Sequence, residues 1–310
     1  MDADRRVVVV ASQVGQLCNR ILLFAHLIAA AIEHDLLIIN PGFGIYADLF
    51  PSTANDLLCR FPAGHRLPPT AGAREAVMAA ALADADALHG LQLLGRDVGL
   101  IRLEREEYID LNDDIFLGMV RRHGTVVIQG WFFRNAPNCL RHRDAICNFF
   151  TPDAQTLERA QALVGSARAS GKPVVGVHVR RTDYERFRGG EFYFSHADYR
   201  RIMGVLEPGP DGTGVSFFVC SDEPIPPELV DNLDVTLGSG RVLEDLYGLA
   251  ACDFLIGPPS TFSRWAAFYG EVPVHWMNTP RDDPSYDLFR TGRGLGSGKH
   301  ERAWINPAAG

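Results

Sequence analysis

The first forty residues restrict the fold to an α/β architecture with parallel strands. Val7–Ala11 is a short, mostly β-branched run that suits a strand buried on both faces. Ser12–Gly15 breaks it. Leu17, Ile21, Phe24, Ile28 and Ile32 then recur at helical spacing, with further apolar residues between them, which predicts a helix covered on most sides. Leu36–Ile39 is a second apolar run, ended by Asn40-Pro41-Gly42. Strand, helix and strand within so short a span is a βαβ unit.

The alternation continues. Residues 71–90 are Ala-rich and helical by propensity. Val126–Gln129 reads as a strand, followed by Gly130-Trp131-Phe132-Phe133. Thr151-Pro152 is expected to open a helix through about Ser170, since proline suits a first helical turn. At 310 residues the chain suggests two domains, and Gly171-Lys172-Pro173 marks the expected boundary, giving 1–170 and 171–310. In the second half strands are expected at Val174–Val179, Ser216–Cys220, Val235–Leu237, Phe254–Ile256 and Val272–Trp276. Helices are expected near His196–Leu206, Pro227–Asn232, Val242–Cys252 and Thr261–Tyr269. Two such halves would hold ligands in the crevice between them, at the carboxyl ends of their strands. Gly292–Lys299 resembles a phosphate loop in composition but fails the standard spacings and follows no strand.

Hydrophobic content of 46% and charged content of 22% fit a globular chain with a full core. The net charge of −8 argues against a general nucleic-acid or membrane-surface binder, which needs a broad positive field. Met1–Arg6 runs straight into the first strand, without the apolar core of a signal peptide, and no apolar run approaches the length of a membrane span. Six cysteines are scattered with no C-x-x-C pair, so they read as reduced core thiols rather than zinc ligands or a disulfide framework. A cytoplasmic location is the expectation.

The chemistry concentrates in the second half. In Gly176-Val177-His178-Val179-Arg180-Arg181-Thr182-Asp183-Tyr184 an apolar strand ends directly in two arginines. At the carboxyl end of a central strand an arginine fork can hold a diphosphate bidentately and stays charged at any working pH. A fixed guanidinium also stabilises the charge that a departing diphosphate gains in a glycosyl transfer. In the segment from Glu244-Asp245-Leu246-Tyr247 through Ala251-Cys252-Asp253-Phe254-Leu255-Ile256-Gly257-Pro258-Pro259-Ser260-Thr261-Phe262-Ser263-Arg264-Trp265 a strand leads to a Ser/Thr pair opening a helix. Ser260 or Thr261 suits an N-cap, and the same helix start can receive phosphate oxygens. Phe218-Val219-Cys220-Ser221-Asp222-Glu223 places acids just past another strand.

These three segments, in this order, resemble the shared donor-binding motifs of the α1,2-, α1,6- and protein O-fucosyltransferase superfamily, whose most distinctive motif is H-x-R-R-x-D. Gly15-Gln16-Leu17-Cys18-Asn19-Arg20 resembles the N-terminal motif of the α1,2 enzymes. Gly130-Trp131-Phe132 followed by Phe149-Phe150-Thr151-Pro152 resembles their mid-chain aromatic stretch. The resemblance implies a GT-B fold of two Rossmann-like domains facing across a cleft, with the donor, GDP-β-L-fucose, held mainly by the C-terminal one. It also implies inverting transfer to a glycan or glycoconjugate hydroxyl, with no metal and no further cofactor. On this resemblance Arg180 would hold the β-phosphate, with Arg181 beside it or in a structural role. His178 and Asp253 would sit at the guanine, Ser260, Thr261, Phe262 and Ser263 would line the phosphates, and Asp222 would lie near the nucleoside. Thr182, where the α1,2 group has Gly, together with Pro258-Pro259 and Arg264, departs from the α1,2 pattern and leaves the linkage and the sugar open.

An inverting transfer benefits from a base that takes the acceptor proton. Glu191, in Gly189-Gly190-Glu191-Phe192-Tyr193-Phe194, is the candidate, and Asp183 is the reserve. Asn19, Arg20 and Trp131 are the candidates for acceptor contacts. A metal-dependent enzyme would need an Asp-x-Asp motif at a strand end, whereas Asp84-Ala85-Asp86 falls in the Ala-rich helical stretch. The alternatives are a transferase for a different GDP-sugar and a non-catalytic sugar-nucleotide-binding protein.

Overall fold

The computed structural model describes residues 5–63, 67–91, 98–104 and 107–295. The first four residues of the N-terminal segment and residues 296–299 of the glycine-rich stretch therefore lie outside the described residues. The chain forms two compact units, one running to Asp153 and the other from Ala154 to Leu295.

The first unit comprises β1 (Val7–Val10), α1 (Leu17–His34), β2 (Leu37–Ile39), α2 (Pro51–Ala54), β3 (Arg60–Phe61), α3 (Ala73–Leu91), β4 (Val98–Arg102), β5 (Ile109–Asp110), α4 (Asp114–Arg122), β6 (Thr125–Gln129), β7 (Phe133–Arg134), α5 (Ala136–Arg141) and α6 (Arg143–Phe149). Its main sheet has the order β3-β2-β1-β6-β4, parallel except for β3. The expected helix after β1 is α1. By length and composition it could cross a membrane, but most of it is buried, from Leu17 through Ala31, so it serves as the core helix of this unit. It ends at Asp35, which adopts a left-handed conformation and returns its N–H to Ala31. Phe24, Phe43, Phe149 and Phe150 pack edge to face beneath it, at centroid distances of 5.1–5.7 Å. Asp86 of the Asp-x-Asp letters lies on α3 and pairs with Arg102 (2.6 Å).

The second unit comprises α7 (Ala154–Ala167), β8 (Val174–Val179), α8 (His196–Leu206), β9 (Ser216–Ser221), α9 (Pro227–Val230), β10 (Val235–Leu237), α10 (Val242–Leu249), β11 (Phe254–Gly257), α11 (Thr261–Gly270) and β12 (Val274–Trp276). Its sheet is wholly parallel, in the order β10-β9-β8-β11-β12. Numbered by appearance from β8, this is the Rossmann order 3-2-1-4-5, which reverses direction between β8 and β11. All six residues of β8 are buried, as the central strand of such a sheet requires. The unit begins before the expected boundary because α7 packs against α10 and the sheet of this unit. Gly171-Lys172-Pro173 instead forms the turn between α7 and β8.

Candidate functional site

In a doubly wound sheet the strands beside the reversal leave an open crevice at their carboxyl ends. Here those ends are Val179, leading into Arg180, and Gly257, leading into Pro258-Pro259. The two strands approach closely. A Cβ added to Gly257 would lie 3.0 Å from both Cβ and O of His178. Above them, Tyr184 donates its hydroxyl hydrogen to the Pro259 carbonyl, which ties the Arg180 loop to the chain that starts α11. Burial pushes the Tyr184 hydroxyl up to about 12, so it stays a donor. Ser260 then caps α11, its side chain accepting from the Phe262 N–H (3.2 Å).

Arg180 sits in this crevice with its guanidinium clamped along one edge. Nε donates to Asp183 Oδ1 (3.0 Å) and an Nη to Oδ2 (2.7 Å), while Cζ lies 5.1 Å from the Tyr184 ring centroid. Its second Nη donates to no group among the described residues. Burial works against the charge, but Asp183 more than offsets it and the guanidinium is held above its ordinary pKa. The result is a fixed cation with one unoccupied prong, next to a helix start whose dipole also favours anions.

Arg181 is placed differently. Its guanidinium donates to Glu223, to the Phe194 carbonyl (2.6 Å) and to the Tyr193 hydroxyl, and Cζ lies 4.4 Å from the Tyr193 ring centroid. It braces the loop from below, which is the structural alternative rather than donor contact. Asp222 has a similar task. It accepts from the Arg181 N–H (2.9 Å), the Thr182 N–H (3.3 Å) and the Thr182 hydroxyl (2.6 Å), shaping the turn after β8.

His178 is buried, sharing a hydrogen bond with Ser263 Oγ (2.7 Å) and lying 5.0 Å from the Phe262 ring. Burial first, and Arg180 second, lower its pKa to about 3, so it is neutral and joins β8 to the first turn of α11. Ser263 is fully buried by the same contact. Thr261 and Phe262 are partly exposed at the helix start.

Asp253 is not at this site. It precedes β11, and its carboxylate accepts from Arg168 (2.7 and 3.0 Å) and from the Val174 N–H (2.7 Å). Val174 begins β8 and Arg180 follows its end, so at about 3.3 Å per residue the two ends of the sheet are about 20 Å apart. Asp253 therefore closes the amino edge and cannot share a ligand with Arg180. A buried acid that does lie at the carboxyl edge is Asp245, which the sequence reading placed in the second segment but gave no role. It is buried in the first turn of α10, with Oδ1 accepting from the Ser239 N–H (2.8 Å) and Oδ2 from the Gly240 N–H (3.2 Å). A Cβ on Gly238 would meet both Asp245 Oδ1 (2.5 Å) and Cys220 Sγ (2.9 Å), and Cys220 pairs with His178 in the sheet. Burial raises the Asp245 carboxyl above its usual range, a mark of functional carboxylates as well as of structural ones. The signal available in the sequence was its position in the first turn of a helix that follows a strand.

Glu191 is exposed, on a turn in which Arg188, Gly189 and Gly190 all have positive φ, and it faces Arg188 at 3.5 Å. Asp183 is committed to Arg180.

The acceptor candidates of the first unit lie together at the start of α1. Trp131 is buried, donates Nε1–H to the Asn19 carbonyl (2.9 Å) and stacks under Arg134 (4.1 Å). Arg20 donates to the carbonyls of Gly15 (3.1 Å) and Gly42 (2.5 Å). The Asn19 side chain covers Gly15, whose φ of 67° and lack of Cβ room suit only glycine. Together they build the start of α1.

No protein-family model matches the sequence, and no curated protein does. Solved structures do match. An Arabidopsis thaliana FUT1 mutant in complex with GDP superposes with a TM-score of 0.58 at 14% identity, over 94% of this chain and 75% of that one. POFUT1 in complex with GDP-fucose gives 0.51 at 12% identity, over 87% and 95%. NodZ α1,6-fucosyltransferase soaked with GDP-fucose gives 0.50 at 16% identity, over 91% and 98%. The chain thus has the fold of these fucosyltransferases, two Rossmann-like units in one chain.

Proposed function

We propose that this protein is a fucosyltransferase that moves L-fucose from GDP-β-L-fucose to a hydroxyl of a glycan or glycoconjugate, with inversion and without a metal. The observation that carries this reading is the clamped Arg180 beside the start of α11 at the reversal of a Rossmann sheet. In the reaction the sugar–phosphate bond breaks and the β-phosphate gains charge. Arg180 and the α11 amides receive that charge from groups already in position, so little reorganisation is needed. Asp245 replaces Asp253 as the carboxylate for the guanine N–H pair, and the exposed Leu237 and Val242 on either side of its turn offer apolar surface to the base. Glu191 is the proposed base, exposed on a glycine turn after the arginine segment. The six cysteines are all buried thiols outside any disulfide, which supports a reducing compartment such as the cytoplasm.

The test is a thermal-shift panel of GDP, GDP-fucose, UDP and ADP in EDTA, because a ligand of the native state raises the melting temperature with RT ln(1 + [L]/Kd). Selective stabilisation by GDP and GDP-fucose is expected. Stabilisation by UDP or ADP alone, or by GDP only with added metal, defeats the reading.

A further inference from the structure

The first unit has a carboxyl edge of its own, and a cavity of about 180 Å³ opens there. Gln13, just past β1, and Pro41, just past β2, form one wall, and α3 forms the other. Its apolar surface comes from Pro41, Ile45, Met78 and Leu82. Ile45 is 59% exposed, whereas Met78 is buried. The polar rim is Gln13, Arg74 and Glu75, with Gln13 and Glu75 exposed.

Arg74 supplies a second, independent observation. One Nη donates to Asp48 (2.8 Å) and the other to the Ala54 carbonyl (2.7 Å). Its Nε is buried and has no acceptor among the described residues. A buried donor without a partner is costly, and Arg74 as a residue belongs to the cavity wall. The two hydrogen bonds hold the guanidinium in place, and a Cβ added at Gly44 would lie 3.4 Å from Arg74 Cβ.

The size and chemistry of this cavity define its occupant. Pockets for drug-sized ligands start at about 300 Å³, so this one suits a single ring. An apolar wall opposite a rim of one amide, one carboxylate and one guanidinium matches a pyranose, which has a C–H face and a girdle of hydroxyls. We infer that this cavity binds one pyranose ring of the acceptor glycan. The C–H face would rest on Ile45 and Met78, and the hydroxyls would bond to Gln13 and Glu75, with Arg74 in the wall beside them. The identification of the ring as acceptor rests on the fucosyltransferase reading, whereas the sugar site itself does not. None of Asn19, Arg20 and Trp131 lines the cavity.

The experiment is saturation-transfer NMR on the full chain with GDP present, using the methyl β-glycosides of galactose, glucose and N-acetylglucosamine as probes. At least one glycoside should receive saturation at its ring protons. Met78→Trp, which fills the cavity, should abolish the signal. Gln13→Ala, at an exposed position that the fold does not need, should weaken the affinity about tenfold, the equivalent of about 1.4 kcal/mol. Ile115→Ala, on α4, should change nothing. Absence of saturation for all three glycosides overturns the inference, as does wild-type saturation in both cavity variants. If GDP raises the melting temperature but no glycoside binds, the acceptor cavity is wrong and the donor reading stands. If glycosides bind as described and GDP does not, the sugar site stands and the donor reading falls.

Discussion

Replacing Arg180 by alanine separates the fold from the chemistry at one position. The side chain is 18% exposed, and its ionic partner, Asp183, is 30% exposed. Losing the guanidinium therefore leaves a carboxylate that water can reach rather than a buried orphan. Its stability cost should be about 1 kcal/mol, or a melting shift of about 2–4 °C in a chain of this size. Function should suffer far more. A charge-assisted hydrogen bond is worth about 1.5–3 kcal/mol, and loss of one preorganised donor at a developing anion lowers turnover by about 10²–10³. GDP should bind about tenfold more weakly or worse, and release of GDP from GDP-fucose at saturating acceptor should fall by about two to three orders of magnitude. Arg180→Lys keeps the charge but cannot form the fork with Asp183, so it should fall between the two. A folded Arg180→Ala protein with wild-type GDP affinity and wild-type turnover would refute the assignment of the site.

Other substitutions probe the supporting residues. Arg181→Ala removes contacts to Glu223, Phe194 and Tyr193 and should cost about 2–3 kcal/mol in urea denaturation, after allowing for partial exposure. Equal stability to wild type would contradict its bracing role. Asp253→Asn should lower the melting temperature yet leave the GDP-induced shift intact, because it lies at the amino edge. Asp245→Asn should weaken GDP about tenfold while leaving inorganic diphosphate binding unchanged, as calorimetry would detect. For His178 the sign follows from proton uptake. The folded imidazole stays neutral to about pH 3, whereas the unfolded one protonates below about 6.5, so the unfolded chain takes up the proton first as pH falls. Its contribution is fully present above pH 6.5 and declines toward pH 3, amounting to about 2 kcal/mol lost by pH 5 at about 1.4 kcal/mol per unit. His178→Asn should lose that much less stability between pH 7 and pH 5 than wild type does.

Much of the second unit was legible in the sequence because every strand of a parallel sheet announces itself as an apolar run. Val174–Val179, Val235–Leu237 and the helix at His196–Leu206 fall where periodicity and capping put them, the last with a Ser195–Asp198 capping box. β4 was not read, since Gly99 interrupts its pattern to make room for Met119 and His123. The boundary went astray because amphipathicity tells that α7 has a buried face but not which sheet it covers. The reading of Asp253 erred for a different reason. The family resemblance put it at the guanine with the Ser260–Ser263 segment, yet a whole strand separates them, and a strand carries its two ends to opposite edges. Trp131 and Arg20 were acceptor candidates, and only tertiary packing shows their side chains donating to neighbouring backbone.

The contact of Gly257 with His178 makes the reversal point behave as a short lever. His178 is joined through Ser263 to the first turn of α11, so a methyl group at 257 cannot be absorbed where it is introduced. Pushing β8 aside would tilt the imidazole, and the imidazole would drag the helix start away from the Tyr184 hydroxyl that meets Pro259. One added carbon in the floor would thus surface as a misaligned rim, with no ligand-contacting side chain altered.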